Sequence, residues 1–338
     1  MDTVRDWWKN RLAEDIYATL RFKEQSQKVY LGHSPHMWMR PALVNWILML
    51  TQRLDASATT QHLAVYLLDY FLDEQEVDLN RLFLVAETCF ILAVKFEDNS
   101  RESPQFSTVM NLVPHLAGFI AGFIPPGSSH SPTHPSYTLQ DYLSMERAVL
   151  RYFDWELAVS VVPHFVPYFL QVAVDDEDLI NGLPIMSKPL VESHVERQTL
   201  YFQTICLQDP SFRQITPSLL AASCVASSRM CMRLTPTWTI QLEMITDYRL
   251  EELMPCTQKL LIFYKLHQQI CNGILPVTIP NDFIPHPAFP RLIQHPAFPQ
   301  RYIPNDENHA AGYSTSLRNY DRSSLFSAAP YIPWSQRS

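Results

Sequence analysis

Met39-Arg40-Pro41-Ala42-Leu43-Val44-Asn45-Trp46 opens the first long apolar stripe of the chain. Continued through Ile47 and Leu50, it sets Leu43, Trp46, Ile47 and Leu50 on one side of a 3.6-residue repeat, so the segment reads as a helix. Proline inside a helix costs about 3 kcal/mol, whereas the first turn tolerates it. The helix is therefore predicted to start near Trp38, just after the Ser34-Pro35 turn signal, with Pro41 in its first turn.

Working outward, the run Leu63-Ala64-Val65-Tyr66-Leu67-Leu68 is apolar almost all round, which predicts a central helix over about 62–72, covered on every side. Asp78 is a candidate cap for a following helix in which Leu82, Val85, Ala86, Cys89, Phe90, Ala93 and Phe96 recur at threes and fours. From 99 to 135 the pattern weakens, and Pro125-Pro126-Gly127-Ser128 reads as an exposed loop. Tyr142, Met145, Val149 and Tyr152 restore a helix ending near Asp154. Upstream, Ile16 and Leu20 stand four apart among polar neighbours, predicting a short amphipathic helix over 13–22.

Beyond Trp155 a second set appears, with helical apolar runs at 162–174, 191–207, 217–232, 238–245 and 250–270. After Gly273 the composition turns rich in proline, and His286-Pro287-Ala288-Phe289-Pro290 recurs as His295-Pro296-Ala297-Phe298-Pro299. Such a tail is expected to be extended, and it is a candidate short-motif ligand for another protein's groove.

At 338 residues the chain is long for a single core. Hydrophobic residues at 47% suffice for two cores, and only 7 glycines argue for helices over a loop-rich β fold. A net charge of -8 offers no general attraction to a phosphate backbone, so nucleic acid is not an expected partner. The longest strongly apolar stretch, 116–124, is far short of the roughly 20 residues of a spanning helix, and no leader is evident, so neither a membrane nor secretion is expected. The six cysteines, at 89, 206, 224, 231, 256 and 271, include no Cys-x-x-Cys pair and read as reduced core thiols. The 12 histidines are scattered, and no pair combines the helical i, i+4 spacing with an intervening acid that a zinc site would use, so no metal or cofactor is expected. Nor is there a nucleophile, base and oxyanion set or a phosphate-binding glycine loop, which argues against an enzyme.

Three ordered blocks carry a likeness to a known family. They are Met39 to Trp46, then Leu63-Ala64-Val65 with Asp69 six residues after Leu63, then Leu92-Ala93-Val94-Lys95-Phe96-Glu97-Asp98. Together they resemble the cyclin boxes, and the likeness covers residues 5 to about 270. Trp7-Trp8, the stretch from His62 to Asp69, and Ala222-Ser223-Cys224-Val225-Ala226-Ser227-Ser228-Arg229 resemble one subgroup, cyclin J.

The resemblance implies an all-α fold of two tandem five-helix cyclin-box domains preceded by a short N-terminal helix. The expected layout is an N-terminal segment over 1–33, a first box over 34–157, a second over 158–273 and a proline-rich tail over 274–338. It implies a non-catalytic subunit that binds and activates a cyclin-dependent protein kinase. Lys95 and Glu146 are then expected to meet and to bind kinase backbone, with Ile16, Leu92, Phe96 and Leu150 as their apolar surround. Arg40 and Asp69 are expected to form a buried ion pair joining two helices. Met39, Leu43 and Trp46 match an exposed patch that docks short Arg-x-Leu motifs of substrates or inhibitors. Met49 and Phe83 stand where the family has polar partners for the arginine, implying weak arginine selectivity. The family favours residence in the nucleus. The rival readings are a cyclin-fold adaptor and a transcription-factor-like binding module, neither of which activates a kinase.

Overall fold

The computed structural model describes residues 11–98, 108–109, 111 and 137–271. The expectations for Trp7-Trp8, for the loop near Pro125 and for the proline-rich tail lie outside the described residues. Among the described residues, no helix is long and apolar enough to cross a membrane.

The first set begins with a 3-10 turn, Met37–Met39, that runs into α2, Arg40–Arg53. Pro41 sits in the first turn of α2, where its missing N–H leaves no helix bond unmade. Helix α3, Ala58–Glu74, is capped by Ser57, whose Oγ accepts from the Thr60 amide at 3.1 Å. Every residue from His62 to Leu72 on it is buried, as its all-round apolar surface requires. Helix α4, Leu82–Glu97, does not start at Asp78. A 3-10 turn, Leu79–Arg81, intervenes, and the Asp78 side chain makes no cap bond. The helix begins where the apolar repeat itself begins, and everything from Leu82 to Val94 is buried. Helix α5, Leu139–Tyr152, opens with a capping box. Asp141 Oδ2 accepts from the Thr138 amide at 2.8 Å, and Thr138 Oγ1 accepts from the Asp141 amide at 3.3 Å. These four helices enclose a core that includes Leu43, Trp46, Leu63, Leu67, Phe90 and Val149.

The second set comprises α6, Val162–Leu170, α7, Lys188–Cys206, α8, Pro217–Cys231, α9, Ile240–Thr246, and α10, Leu250–Cys271. Phe165, Phe169, Phe202, Val225, Leu242 and Leu260 form its core. Where the two sets join, Val161 belongs to the first core and Val162 to the second, while Leu207 crosses over from the second set to the first core. Both lie within one compact unit. Cys89, Cys206, Cys224 and Cys256 are free and buried.

One feature of the second set was not anticipated. Leu179–Ile180 (β1), Leu183–Pro184 (β2) and Leu234–Thr235 (β3) form a small antiparallel sheet in the order β2-β1-β3. A fully buried ion pair anchors it: Arg229 donates to both Asp178 carboxylate oxygens, at 2.7 and 2.8 Å. The same guanidinium also donates to the carbonyls of Ala173, Pro236 and Thr237, so little of its hydrogen-bonding capacity is wasted by burial.

Helix α1, Arg11–Gln25, is longer than the segment predicted and packs on the second core. The Tyr17 ring meets Phe165, Tyr168 and Phe169 at centroid distances of 5.9, 5.1 and 6.2 Å. The connector to α2 is then fastened to the first set. Asp73 accepts from the amides of Leu31, Gly32 and His33, a wrap that uses the positive φ of Gly32.

Candidate partner-binding site

Lys95 lies in the last turn of α4 and Glu146 midway along α5, and the fold brings them together. Lys95 Nζ donates to Glu146 Oε1 at 2.5 Å, with 42% of the lysine side chain and 15% of the glutamate side chain exposed. The reason lies in the two stripes. Positions 92 and 93 of α4 and positions 145 and 149 of α5 are buried in the same core, which leaves 95 and 146 at the rim between the helices. Phe96 beside them is 46% exposed, an uncommon state for so large a ring. Leu150 is half-buried against the first core, and Ile16 on α1 is 45% exposed. Leu92 differs from its expected place: it is only 4% exposed and belongs to the first core.

The end of α4 is also tied to the second set, because Glu97 Oε1 lies 3.5 Å from His164 Nε2 at the start of α6. Around the connector between the sets, Lys23 of α1 donates to the Ala158 carbonyl at 3.0 Å and Ser160 Oγ donates to the Leu20 carbonyl at 2.8 Å. Helix α1 is thus fastened to the same strip of chain that follows α5.

Arg40 and Asp69 form the anticipated buried pair. Arg40 Nε and Nη2 donate to the two Asp69 oxygens at 2.7 and 2.9 Å. The cluster is larger than a pair. Arg213, in a 3-10 turn of the second set, donates to Asp69 Oδ2 at 2.7 Å, and Arg40 also reaches the carbonyls of Leu207 and Gln208, each at 3.0 Å. Burial alone would raise the Asp69 carboxyl, but Arg40 and Arg213 together hold it below its ordinary range.

Met39, Leu43 and Trp46 require a correction. They are 5%, 0% and 0% exposed, so they form core and not an open docking patch. Phe83 covers Trp46 edge-on at 5.6 Å, and the indole N–H donates to Glu87 Oε1 at 3.1 Å. Glu87 in turn accepts from Tyr142 at 2.5 Å. The aromatic at 83 therefore closes the surface over the tryptophan, and Met49 is buried with it.

Residues 15–158 match the cyclin N-terminal domain and residues 164–272 match the cyclin C-terminal domain. The chain belongs to the cyclin family. It is 36% identical over 264 residues to Cyclin-J of Xenopus laevis and 33% identical over 270 residues to Cyclin-J of Homo sapiens, covering 76% and 78% of this chain. It spans 63% of the length of each of those relatives. Cyclin-B1-3 of Arabidopsis thaliana is 27% identical over 280 residues, 81% of this chain and 58% of that protein. Among solved structures, a viral cyclin from herpesvirus saimiri matches with a TM-score of 0.50 at 13% identity, over 75% of this chain and 97% of that one. That likeness supports the fold of two tandem cyclin boxes.

Two residues of this cyclin that matter to its geometry escaped the sequence reading. Arg213 is 144 residues from Asp69, in a short turn with no repeat to read. Trp155 follows α5 with a φ of +63° and is 66% exposed. A bulky residue in left-handed backbone at the surface has no signature in its neighbours.

Proposed function

We propose that this cyclin is the regulatory subunit of a cyclin-dependent serine/threonine protein kinase, acting in cell-cycle control. The observation that carries the reading is the Lys95–Glu146 contact at the α4–α5 rim, beside the exposed ring of Phe96. A cation and an anion held side by side offer one donor and one acceptor direction to an incoming backbone. Apolar neighbours strengthen both bonds by excluding water. Leu150 on α5 and the half-exposed Ile16 on α1 are the further apolar groups offered to a partner helix. Pressed there, the kinase's regulatory helix would be held inward, so that its glutamate pairs with the ATP-site lysine.

The test is reconstitution. Purified full chain is mixed with a panel of cyclin-dependent kinases, capture is measured, and phosphorylation of a generic substrate is followed. Capture with at least tenfold stimulation of phosphorylation supports the reading. Capture without stimulation identifies an adaptor, and no capture by any member overturns the kinase assignment. Nuclear residence is proposed from the family alone, and imaging of the tagged chain decides it.

A further inference from the structure

Helix α8 opens with Thr216-Pro217-Ser218. The Thr216 side chain makes no cap bond and Pro217 has no N–H, so the Ser218 amide is the first donor at this end in need of a partner. Its partner comes from the far end of the chain. Glu24 of α1 accepts from the Ser218 amide through Oε2 at 2.9 Å and from Ser218 Oγ through Oε1 at 2.7 Å. The carboxylate thus lies at the positive end of the α8 dipole. A network closes around it. Tyr248 shares a hydrogen bond of 2.8 Å with Ser218 Oγ, Arg21 donates to the Tyr248 hydroxyl at 2.5 Å, and Arg21 lies 3.0 Å from Glu24 Oε1. Only 3% of the Glu24 side chain is exposed.

An apolar helix face sliding on an apolar core has no fixed rotation, because hydrophobic burial is non-directional. Ala13, Tyr17 and Leu20 attach α1 to the second core, and to the hydrogen bonds at Ala13, Leu20 and Lys23 the Glu24 cap adds a charged, buried directional constraint at the last turn. Ile16 lies eight residues before Glu24, about 80° around the helix, and remains half open to solvent.

We propose that Glu24 is a positioning residue: by capping α8 from α1, it fixes the rotation of α1 and so aims Ile16 at the kinase partner. This inference rests on the kinase-binding reading. The second box thereby sets part of a contact surface whose charged pair belongs to the first.

The experiment compares the full chain with Glu24→Gln, Ser218→Ala, Ile16→Ala and the Ile16→Ala/Glu24→Gln double variant. Two quantities are read: hydrogen exchange of α1 amides in the free protein, and affinity for a captured cyclin-dependent kinase. Glu24→Gln keeps an acceptor but loses the charge, and is expected to speed α1 exchange and weaken kinase binding about tenfold. Ser218→Ala, which keeps the amide bond and loses only the hydroxyl, should do the same to a smaller degree and stands in if Glu24→Gln misfolds. Because Glu24 acts through Ile16, the double variant should bind no worse than the weaker-binding of its two single variants. A purely structural role would make the two losses multiply, and that result overturns the proposal, as does unchanged α1 exchange. Lys95→Ala separates this idea from the one beneath it. If Lys95→Ala loses the kinase while Glu24→Gln binds as the parent does, the positioning role fails and kinase binding stands. If the parent chain captures no kinase, both fall, whatever α1 exchange shows.

Discussion

Lys95 and Glu146 touch at 2.5 Å, yet the lysine keeps much of its surface in water. Such a pair contributes only about 0 to 1 kcal/mol to folding. Its value would come on binding, when partner atoms exclude the water. Truncating one member of a desolvated, hydrogen-bonded charge pair costs about 2 to 5 kcal/mol, tens to thousands of fold in affinity. Lys95→Ala and Glu146→Ala should therefore lose kinase capture while their thermal melts stay close to the parent's. Full capture by both folded variants would remove the contact site. Arg40→Ala should behave oppositely, since it leaves Asp69 in the core with Arg213 alone. A loss of about 3 to 5 kcal/mol in urea unfolding is expected, against roughly 1 to 3 for Arg213→Ala, which leaves the bidentate Arg40 in place. Asp69 and Arg40 were legible because they fall within motif blocks. Arg213 and Glu24 were not, because their partners are set by tertiary packing and their own surroundings carry no repeat. The docking patch was misjudged for a related reason: the motif specifies Trp46, while its exposure is decided by the ring at position 83.

At the scale of elements, the helices were readable wherever an apolar repeat ran for three turns or more, as in α3, α4, α7 and α8. What failed was finer. The two-residue strands carry no period, and the sheet exists because Arg229 and Asp178 pin its segments together. Caps were readable as residue types but not as contacts. Ser57 and Asp78 both precede a helix, yet only Ser57 bonds an amide, because Asp78 is followed by a 3-10 turn and not by the helix proper. Ser57→Ala should accordingly cost about 1 kcal/mol, and Thr138→Ala, which breaks a capping box, about 1 to 2. Asp78→Ala should change stability by less than about 0.5 kcal/mol. Chemical denaturation of the three variants side by side checks this, and an Asp78→Ala loss equal to that of Ser57→Ala would contradict the observed turn.

Across the whole molecule, two buried histidines couple folding to pH. His62, on α3, lies against the second set, where burial and then the charge of Arg213 push its pKa down to about 3. His267, on α10, bonds Tyr201 through Nδ1, and burial lowers its pKa to about 4. Both are neutral in the folded protein at pH values where an unfolded histidine, with a pKa near 6.5, takes up a proton. The unfolded chain then binds more protons, so stability rises with pH in this window. The histidine contribution is complete above about 6.5 and falls as pH drops toward the folded values, by about 1.4 kcal/mol per unit for each histidine. Glu24, whose carboxyl is raised by burial, contributes with the opposite sign, its share of stability falling as pH rises through its titration. Between pH 7 and 5.5 the protein should lose about 2 to 3 kcal/mol in urea unfolding. His267→Gln, which cannot titrate, should lower the slope by about half. A stability independent of pH across this window would mean that these rings gain partners when protonated, contrary to the packing of both sites.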